Sequence, residues 1–577
     1  MIKEKINNLI IESLSNLGIK ASEVSLEHPE ELKNGDYSTN IALVYAKEVK
    51  SNPRELAEKI KQELEKNLPK EIAKVEVAGA GFINFYLSRD FFVDSIKEII
   101  KKGDAWGRCE GLHGKKIMVE YTDPNPFKPF HIGHLMTNAI GESLSRIMEY
   151  SGANVVRANY QGDVGPHVAK AIYGMLKAGA PKDENAPVSL LASYIGECYA
   201  KGSDAYDTDE NAKKEIEEIN QKIYARSDDG INRMYDWGRK VTLKAFEELY
   251  EILGTKFNHY FFESVMAPIG EKTVRNNLGK AMPDGRQVFE ESDGAIVFKA
   301  EKYDPKLHTR VFINSKGLPT YETKEIGLTE TKFEKENPDL SIVVTAIEQG
   351  EYMKVVQKAL SIIHPDLESR MKHITHGMMK FASGKMSSRK GNVITGESLL
   401  RDSMQIIKDK VQDRDMTDEE KELVSRMVGV SAVKYSILRS AITGDIIYDF
   451  DRSISFEGDS GPYLQYTAVR ARGILKKGDQ EGVCEGYKDI PTEAKEIEHL
   501  LYKFPEVVAR AEETFLPHHI STYLTELASA FNTFYSVSQI VNKSDPYSPY
   551  LVSITEAFYM TMRNGLYLLG IETPEKM

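Results

Sequence analysis

The stretch that decides the fold reads KIMVEYTDPNPFKPFHIGHL and occupies residues 116–135. Its first seven residues are mostly apolar and predict a short buried strand. Three prolines follow, and because proline cannot continue a strand ladder, they predict an extended loop. From Ile132 to Met148 apolar side chains recur at helical spacing, which predicts a helix after the last proline. The stretch is therefore a strand, a loop and a helix in succession.

Two histidines and a glycine stand where this helix begins: His131, Gly133 and His134. A helix N-terminus offers free backbone N–H groups and the positive end of the helix dipole, and both attract anions. A glycine there lets a ligand approach the backbone closely. The pattern is short enough to occur in an ordinary surface turn. As a functional site, it predicts a ligand that carries phosphate.

A second segment, HGMMKFASGKMSSRKGNVI at residues 376–394, is rich in glycine, serine and cations. By itself, such a run is typical of a solvated surface. Taken with the motif at residues 131–134, however, it resembles the HIGH and KMSKS signatures of class I aminoacyl-tRNA synthetases. Residues 120–163 resemble the arginyl-tRNA synthetases in particular. The resemblance implies a Rossmann-type catalytic domain with a parallel sheet, where ATP activates an amino acid for transfer to tRNA.

The 577 residues are too many for one hydrophobic core and predict three or more domains. A composition of 41% hydrophobic and 28% charged residues is that of an ordinary soluble protein. We see no signal peptide and no apolar run of roughly 18 residues, so we expect a cytoplasmic protein without membrane contact. Three distant cysteines, Cys109, Cys198 and Cys484, predict neither a disulfide framework nor a zinc site. With a net charge of −12, nucleic-acid binding must use local patches of lysine and arginine.

The two ends of the chain differ in pattern. Residues 1–107 contain a helix that starts after Asn52 and strands between residues 75 and 87, which predicts a small α/β domain. This region resembles the N-terminal domain that reaches the tRNA elbow in arginyl-tRNA synthetases. Residues 456–577 are helical in pattern and resemble the all-α anticodon-binding bundle of that family.

Residues 108–455 form the predicted catalytic domain. Strand-like segments at 154–160, 311–314 and 340–344 are expected to continue its parallel sheet. Polar helices at about 180–290 resemble the connective insertion that splits the class I fold.

The resemblance assigns the ATP site residue by residue. His131 and His134 would hold phosphate and ribose groups, Gly133 would leave room for adenosine, and the backbone of Gly377 and Met378 would contact adenine. The second signature loop would close on the leaving pyrophosphate and contribute Lys385, Met386, Ser387 and Ser388. No protein nucleophile is required, because the substrate carboxylate attacks the α-phosphorus of ATP in line. Mg²⁺ would arrive with the ATP phosphates, without a protein metal site of its own.

One signature residue is missing. In the usual KMSKS loop a second lysine stabilises phosphate charge, but Ser388 stands in its place. Two cations could substitute: Lys390 in the same loop, and Lys128 just before His131. The resemblance to arginyl-tRNA synthetases with such a degenerate loop implies that the lysine upstream of the HIGH motif takes this role. The prolines around Lys128 fix its backbone path. We therefore predict Lys128 as the catalytic cation.

The amino-acid site follows from the chemistry of arginine. A guanidinium is planar, carries five donors, and is bound best by a carboxylate in fork geometry together with neutral acceptors. By resemblance, Glu120 and Asn125 would contact the amino-acid part. The side-chain pocket would be lined by Tyr321, Glu325 and Gln349. At the position of Glu325 the family more often has aspartate.

Single-stranded anticodon bases are bound by stacking on aromatic rings, although aromatic residues at helical spacing are more often core. In the C-terminal bundle the candidates for tRNA binding are Tyr463, Phe531, Tyr535 and Met577. We expect a monomer whose partners are tRNA(Arg), L-arginine and ATP. In the family, arginine activation often requires bound tRNA.

Two other classes of function are compatible with the motifs. A different class I synthetase or a nucleotidylyltransferase would share the chemistry at His131 and His134, although the cysteinyl enzyme is disfavoured because its zinc thiolates are missing. A non-catalytic tRNA-binding relative is the alternative outside enzymology, and the intact ATP-site residues argue against it.

Overall fold

The computed structural model describes residues 2–21, 23–183, 185–382 and 394–577. Its strands are β1 Tyr37–Thr39, β2 Ile72–Ala78, β3 Phe82–Leu87, β4 Lys116–Glu120, β5 Asn154–Gln161, β6 His259–Phe262, β7 Glu290–Ser292, β8 Ala295–Phe298, β9 Arg310–Ile313, β10 Leu340–Ala346, β11 Met371–His376, β12 Met379–Phe381 and β13 Ile446–Tyr448. Its helices are α1 Ile2–Asn16, α2 Ile41–Tyr45, α3 Pro53–Lys66, α4 Arg89–Lys102, α5 Ile132–Tyr150, α6 Pro166–Ala178, α7 Val188–Thr208, α8 Glu210–Ala225, α9 Asp229–Leu253, α10 Glu263–Asn276, α11 Tyr321–Glu336, α12 Gly350–Ile363, α13 Pro365–Glu368, α14 Gly396–Lys410, α15 Asp418–Leu438, α16 Phe450–Ser453, α17 Gly461–Glu481, α18 Glu496–Leu501, α19 Phe504–Thr514, α20 His518–Val537 and α21 Ser548–Leu568.

The central sheet has the strand order β11-β10-β4-β5-β6, and every neighbouring pair is parallel. Strand β4 lies in the middle, where Met118 and Val119 are fully buried. The strand ends at Glu120 because Thr122 and Asp123 adopt positive φ values of 78° and 46°, which leave the extended conformation. The predicted strand, loop and helix are confirmed, as is the α/β fold with a parallel sheet.

Helix α5 approaches the sheet closely at a glycine. A Cβ added to Gly141 would lie 2.2 Å from Cγ of Tyr121, whose ring is fully buried. The Tyr121 hydroxyl donates to Glu142 Oε2 at 2.5 Å, and Glu142 also pairs with Arg146 and Arg157. These contacts fix the N-terminus of α5 above the carboxyl edge of the sheet, where parallel α/β folds bind ligands.

Long helices occupy much of the predicted insertion at 180–290. Helix α8, for example, buries Ile216, Ile219 and Ile223 on one face, and its glutamates and lysines cover the other face. Strand β6 also falls inside this range, yet it pairs with β5 at the edge of the central sheet. The chain therefore returns to the sheet before residue 290.

Residues 311–314 do not continue the parallel sheet, so that prediction is wrong. Strand β9 pairs with β8 in a separate antiparallel sheet of order β7-β8-β9. A two-residue turn, Asp293 and Gly294, joins β7 to β8, and both residues have positive φ, as tight hairpin turns require. Three buried phenylalanines, Phe289, Phe298 and Phe312, pack this sheet into a cluster that it shares with α11 and α12.

One compact unit contains Met1–Trp106, Arg470–Pro505 and Glu526–Met562. Its antiparallel sheet has the order β1-β3-β2, and α1 and α3 pack on it. Asn52 starts α3 as predicted, because its side-chain oxygen accepts the N–H of Arg54 at 2.9 Å. Tyr502 packs into the same core as these N-terminal elements.

The other compact unit contains Gly107–Val469, Glu506–Thr525 and Arg563–Met577. Its terminal segment packs on α5, where Ser143 Oγ donates to the carbonyl of Leu568 at 2.8 Å. The predicted helical character after residue 456 is confirmed by α17 to α21. In the described part of the chain, no helix is both long and apolar enough to cross a membrane. The division into domains at 1–107, 108–455 and 456–577 stays a prediction.

Candidate active site

A cavity of about 390 Å³ opens at the carboxyl edge of the central sheet, beside the ends of β4, β5 and β10. The loop after β4 and the first turns of α5, α10, α11 and α12 complete its wall. All five residues predicted for arginine and four predicted for ATP or catalysis line it: Glu120, Asn125, Tyr321, Glu325, Gln349, Lys128, His131, Gly133 and His134. The fold thus brings together side chains that are widely separated in sequence.

The two histidines cap α5 reciprocally. The backbone N–H of His134 donates to Nδ1 of His131 at 3.4 Å, and the N–H of His131 donates to Nδ1 of His134 at 3.2 Å. The two rings stack with centroids 3.4 Å apart. A Cβ on Gly133 would lie 3.0 Å from Cε1 of His131, so glycine leaves room for the stacked ring.

Both imidazoles are neutral at physiological pH. Burial, reinforced by Lys128, lowers the pKa of His131 to about 4. Burial and the neighbouring His131 hold the pKa of His134 well below its usual value. Because each Nδ1 accepts a backbone N–H, the ring proton lies on Nε2. The pair therefore offers hydrogen-bond donors to an anion, and net positive charge has to come from another residue.

Lys128 brings positive charge to the cavity. Its backbone N–H donates to the carbonyl of Asn125 at 3.1 Å, and its Nζ lies 5.4 Å from the ring centroid of Tyr199. Burial and the nearby Lys170 lower the pKa of Lys128, and the charge of Glu263 opposes this effect. A partly desolvated ammonium interacts more strongly with phosphate than one in bulk water.

Carboxylates line another wall of the cavity. Glu120 is buried and forms an ion pair with Lys332. Glu325 is also buried and accepts the hydroxyl of Tyr352 at 3.4 Å. Burial, followed by the charge of Glu120, raises the pKa of Glu325 to about 8. A cationic side chain that entered here would stabilise the ionised form of Glu325.

Gly162 lies in the loop after β5 and lets this loop approach the loop after β4, which carries Asn125. A Cβ there would lie 2.2 Å from Oδ1 of Asn125 and 3.1 Å from Oε1 of Glu263. Glu263 in turn pairs with Lys324 at 2.5 Å, and both side chains are 5% exposed. A close approach of glycine to a side-chain amide thus positions Asn125 in the cavity wall.

The predicted adenine contacts lie beyond β11 and not in the cavity wall. The N–H of Gly377 donates to the carbonyl of Ile442 at 2.9 Å, and the N–H of Met378 donates to Asp445 Oδ1 at 2.9 Å. Both N–H groups already donate within the protein, so they can bind adenine only if the Ile442 carbonyl and the Asp445 carboxylate are displaced. The signature-loop residues Lys385, Met386, Ser387, Ser388 and Lys390 lie outside the described residues.

The four tRNA candidates differ in exposure. Phe531 is fully buried and stacks on Phe558 with ring centroids 3.9 Å apart, so it is a core residue and its prediction as a base contact is wrong. Tyr463 is half-buried, and Met577 packs against the hydrophobic cluster of α14 and α15. Tyr535 is 45% exposed and is therefore accessible to a ligand.

A comparison with family models decides the class of protein. The model described as tRNA synthetases class I (R), catalytic domain, matches residues 95–450. The chain belongs to this family. Two further models match the ends of this synthetase: the arginyl tRNA synthetase N terminal domain at residues 2–87 and the DALR anticodon binding domain at residues 464–577. The resemblance inferred from the two signatures is confirmed.

Full-length relatives agree with this assignment. The arginine–tRNA ligases of Halothermothrix orenii and Clostridium acetobutylicum are each 29% identical to this synthetase, over 100% of its chain and 99% of theirs. Among solved structures, Thermus thermophilus arginyl-tRNA synthetase superposes with a TM-score of 0.79 at 23% identity, covering 100% of both chains. The Plasmodium falciparum arginyl-tRNA synthetase gives a TM-score of 0.76 at 21% identity, over 100% of this chain and 99% of that one. The structural matches establish the shared fold.

Sequence reasoning missed several residues that line the cavity of this synthetase: Asp123, Thr137, Tyr160, Glu263 and Tyr352. Asp123 carried a detectable signal, since it lies between two predicted contacts, Glu120 at the end of β4 and Asn125 in the loop that follows. Thr137 lies one turn after Gly133 on α5, so helical spacing could have indicated it. Tyr160, Glu263 and Tyr352 come from other elements, and only the packed fold brings them to the cavity.

Proposed function

We propose that this protein ligates L-arginine to its cognate tRNA through an arginyl-adenylate intermediate, consuming ATP and releasing pyrophosphate and AMP. One observation carries the proposal: the helix-capping histidines and the carboxylates predicted for arginine line a single cavity in a class I synthetase fold. Membership of the class I tRNA synthetases favours the synthetase over a nucleotidylyltransferase.

In the first step, an oxygen of the arginine carboxylate attacks the α-phosphorus of ATP and the bond to pyrophosphate breaks. In the second, a terminal ribose hydroxyl of the tRNA attacks the activated carbonyl and AMP leaves. Neither step needs a protein nucleophile, so the protein contributes orientation and charge. His131 and His134 donate from Nε2 to oxygens of the nucleotide, and Gly133 gives the adenosine access to the backbone.

Lys128 takes the role of the lysine that the second signature loop lacks. Lys128 lines the same cavity as the histidines and its ammonium is partly desolvated, so it can stabilise negative charge that develops on the phosphates. Mg²⁺ is expected to accompany ATP through its phosphate oxygens. In the described part of the chain, no group of three His, Cys, Asp or Glu side chains could hold a metal ion.

Arginine lies against the acidic wall. Glu325 and Glu120 supply carboxylates for its positive groups, and Asn125, Tyr321 and Gln349 add neutral hydrogen-bonding groups. The bound tRNA is held in part by the C-terminal helical region, in which Tyr535 is the most exposed of the four candidates.

Arginine-dependent exchange of labelled pyrophosphate into ATP tests the proposal. With tRNA(Arg) present, we expect exchange that depends on arginine and that falls strongly when the tRNA is omitted. Equal exchange with lysine would contradict the assigned specificity, and exchange without any amino acid would contradict the assigned reaction.

A further inference from the structure

Helix α11 supplies a buried cation to the acidic wall. Nζ of Lys332 pairs with Oε2 of Glu120, and both side chains are 2% exposed. Glu120 lines the cavity, but Lys332 is not among the described residues that do so. Lys332 follows Glu325 by about two turns on the same face of α11. Its ammonium therefore reaches Glu120 from the interior of the protein, behind the cavity wall.

The ion pair leaves one oxygen of Glu120 for a ligand. Oε2 is buried and is the oxygen that contacts Lys332. The backbone of Glu120 is held by the sheet on both sides, because it lies opposite Ala158 of β5 and Val343 of β10. Rotation of the side chain is the freedom that remains, and the ammonium of Lys332 restricts it. Oε1 is then the oxygen that a molecule in the cavity can contact.

Stability alone does not explain this ion pair. Two buried charges lose their hydration, and apolar residues of similar volume often stabilise a protein equally well or better. The neighbouring contact between α11 and β4 is in fact apolar, since Leu328 and Met118 are both fully buried in one hydrophobic cluster. The charged pair occurs where this contact meets the cavity, which indicates a role in binding a ligand.

Other carboxyl groups lie close enough to Glu120 to be affected by its charge. Burial, followed by the charge of Glu120, raises the pKa of Asp123 well above its usual value and the pKa of Glu325 to about 8. The charge of Lys332 opposes both shifts. Without this ammonium, Glu120 would be an uncompensated buried anion beside other carboxyl groups, and it would take up a proton or turn away from them.

We propose that Lys332 is a positioning residue for arginine: it orients Glu120 and keeps it ionised, so that Oε1 accepts a hydrogen bond from the α-ammonium of the bound amino acid. The inference rests on the proposed function and deepens it. Glu120 begins the stretch that leads to His131, the proposed site of the nucleotide, whereas Tyr321 and Glu325 belong to α11. The reacting carboxylate of arginine has to lie beside the nucleotide, and the adjacent carbon carries the α-ammonium. Glu120 is therefore the carboxylate placed for that group.

The variant Lys332→Met tests this inference, because methionine keeps an unbranched apolar side chain and removes the charge. We expect the Kd for L-arginine, measured by isothermal titration calorimetry on the full-length protein, to rise roughly 10- to 100-fold, the scale of losing one charge-assisted hydrogen bond. The KM for ATP should stay near its wild-type value. An unchanged or lower Kd for arginine would overturn the inference and leave the proposed function intact. No binding of arginine by the wild-type protein would contradict both.

An arginine analogue separates positioning of Glu120 from a general distortion of the cavity. The compound 5-guanidinopentanoic acid has the guanidinium and the carboxylate of arginine but no α-amino group. Its Kd should be nearly the same for the wild type and for Lys332→Met, because it offers Glu120 no α-ammonium to bind. If the variant weakens the binding of both compounds by the same factor, Lys332 only supports the shape of the cavity and the inference is wrong.

The double variant Lys332→Met/Glu120→Gln keeps the inference testable if the single variant does not fold, since it leaves no unpaired charge at this buried position. Its Kd for arginine should equal that of Glu120→Gln alone, because a residue that acts through Glu120 contributes nothing once Glu120 is neutral. Circular dichroism checks the folding of each variant. Losses of affinity that add in the double variant would overturn the inference.

Arg89→Met is the matched control for the loss of a buried ion pair. Arg89 pairs with the buried Glu498 at 2.7 Å in the other compact unit, and neither residue lines the cavity. The Kd for arginine should be unchanged in this control. An equal rise of Kd in Arg89→Met and in Lys332→Met would mean that any such loss weakens binding, and it would overturn the assigned role of Lys332.

Discussion

At the scale of single residues, the main question is which residue supplies positive charge to the phosphates of ATP. The histidines of the first signature are neutral because burial lowers the pKa of both. They can therefore orient phosphate oxygens but cannot neutralise them. Lys128 lies in the same wall and carries the charge that this chemistry needs.

Lys128→Ala should lower kcat for arginyl-adenylate formation by roughly 10²- to 10³-fold, the scale of losing one preorganised charge-stabilising group. The KM for arginine should change little, because the ammonium acts on phosphate. Single-turnover kinetics with saturating tRNA measure the effect, and Lys390→Ala serves as the matched variant in the other loop. A larger loss of kcat in Lys390→Ala would place the compensating charge in the second signature loop.

Glu325→Gln should lower kcat/KM for arginine, with a loss of transition-state stabilisation of about 2–4 kcal/mol. The reason is that a carboxylate facing the guanidinium is replaced by a neutral amide. The KM for ATP should stay near its wild-type value. Glu322→Gln is the matched control: this glutamate precedes Glu325 by one turn of α11, is also buried and pairs with Arg310 at 3.6 Å. Near wild-type efficiency of Glu325→Gln would place the guanidinium pocket elsewhere.

The sequence predicted the residues of the first signature stretch, and the cavity contains them. Asn125, His131 and His134 were predictable because one continuous stretch holds them. Glu263 was not, since its role depends on Lys324 and Gly162, which come from other elements. Phe531 was wrongly predicted because aromatic periodicity is the same for a core residue and for a base-stacking residue.

At the scale of elements, the position of α5 sets the position of the site. Gly141 allows the helix to lie directly on the ring of Tyr121, and any side chain there would have to push α5 away from the sheet. The capping histidines lie at the start of the same helix, so a shift of α5 displaces them as well.

Gly141→Ala should therefore destabilise the protein by about 1–3 kcal/mol through overpacking, and it should also lower kcat/KM. Gly473→Ala is the matched control, since a Cβ at this mid-helix glycine of α17 meets nothing within 4 Å. That change should be neutral or stabilising by about 0.5–1 kcal/mol, as glycine is a poor helix former. Thermal melting curves of both variants provide the comparison. Equal stability of the two proteins would mean that the sheet accommodates α5 without strain.

The element that was predicted wrongly is β9. Its apolar run reads the same for a parallel and for an antiparallel strand, so periodicity could not assign it to a sheet. The Asp293-Gly294 pair, a typical hairpin turn, predicts the antiparallel β7–β8 hairpin but gives no partner for β9. Strands β4, β5 and β10 were predictable as short apolar runs, whereas β6 was assigned to the insertion and β11 was not predicted.

At the scale of the whole molecule, the net charge of −12 means that tRNA cannot be held by a generally basic surface. Recognition of the anticodon must then depend on a few local contacts. Tyr535 has an exposed ring, and the guanidinium of Arg470 lies 5.3 Å from its centroid.

Tyr535→Ala should weaken discrimination between tRNA(Arg) and an anticodon-swapped tRNA, with a loss of about 1–3 kcal/mol typical of one stacked base. Adenylate formation at saturating tRNA should be preserved, because Tyr535 is not among the residues that line the active-site cavity. Charging kinetics with the two tRNAs measure this discrimination, and circular dichroism checks that the variant folds. Unchanged discrimination would remove Tyr535 from the recognition surface.

The central claim is that the acidic cavity selects arginine for transfer to tRNA. Its most direct test is mass spectrometry of the aminoacyl-tRNA formed from ATP, tRNA and an equimolar mixture of all twenty amino acids. The account predicts a product that carries arginine alone. A product that carries another amino acid, or tRNA that is bound but remains uncharged, would contradict it.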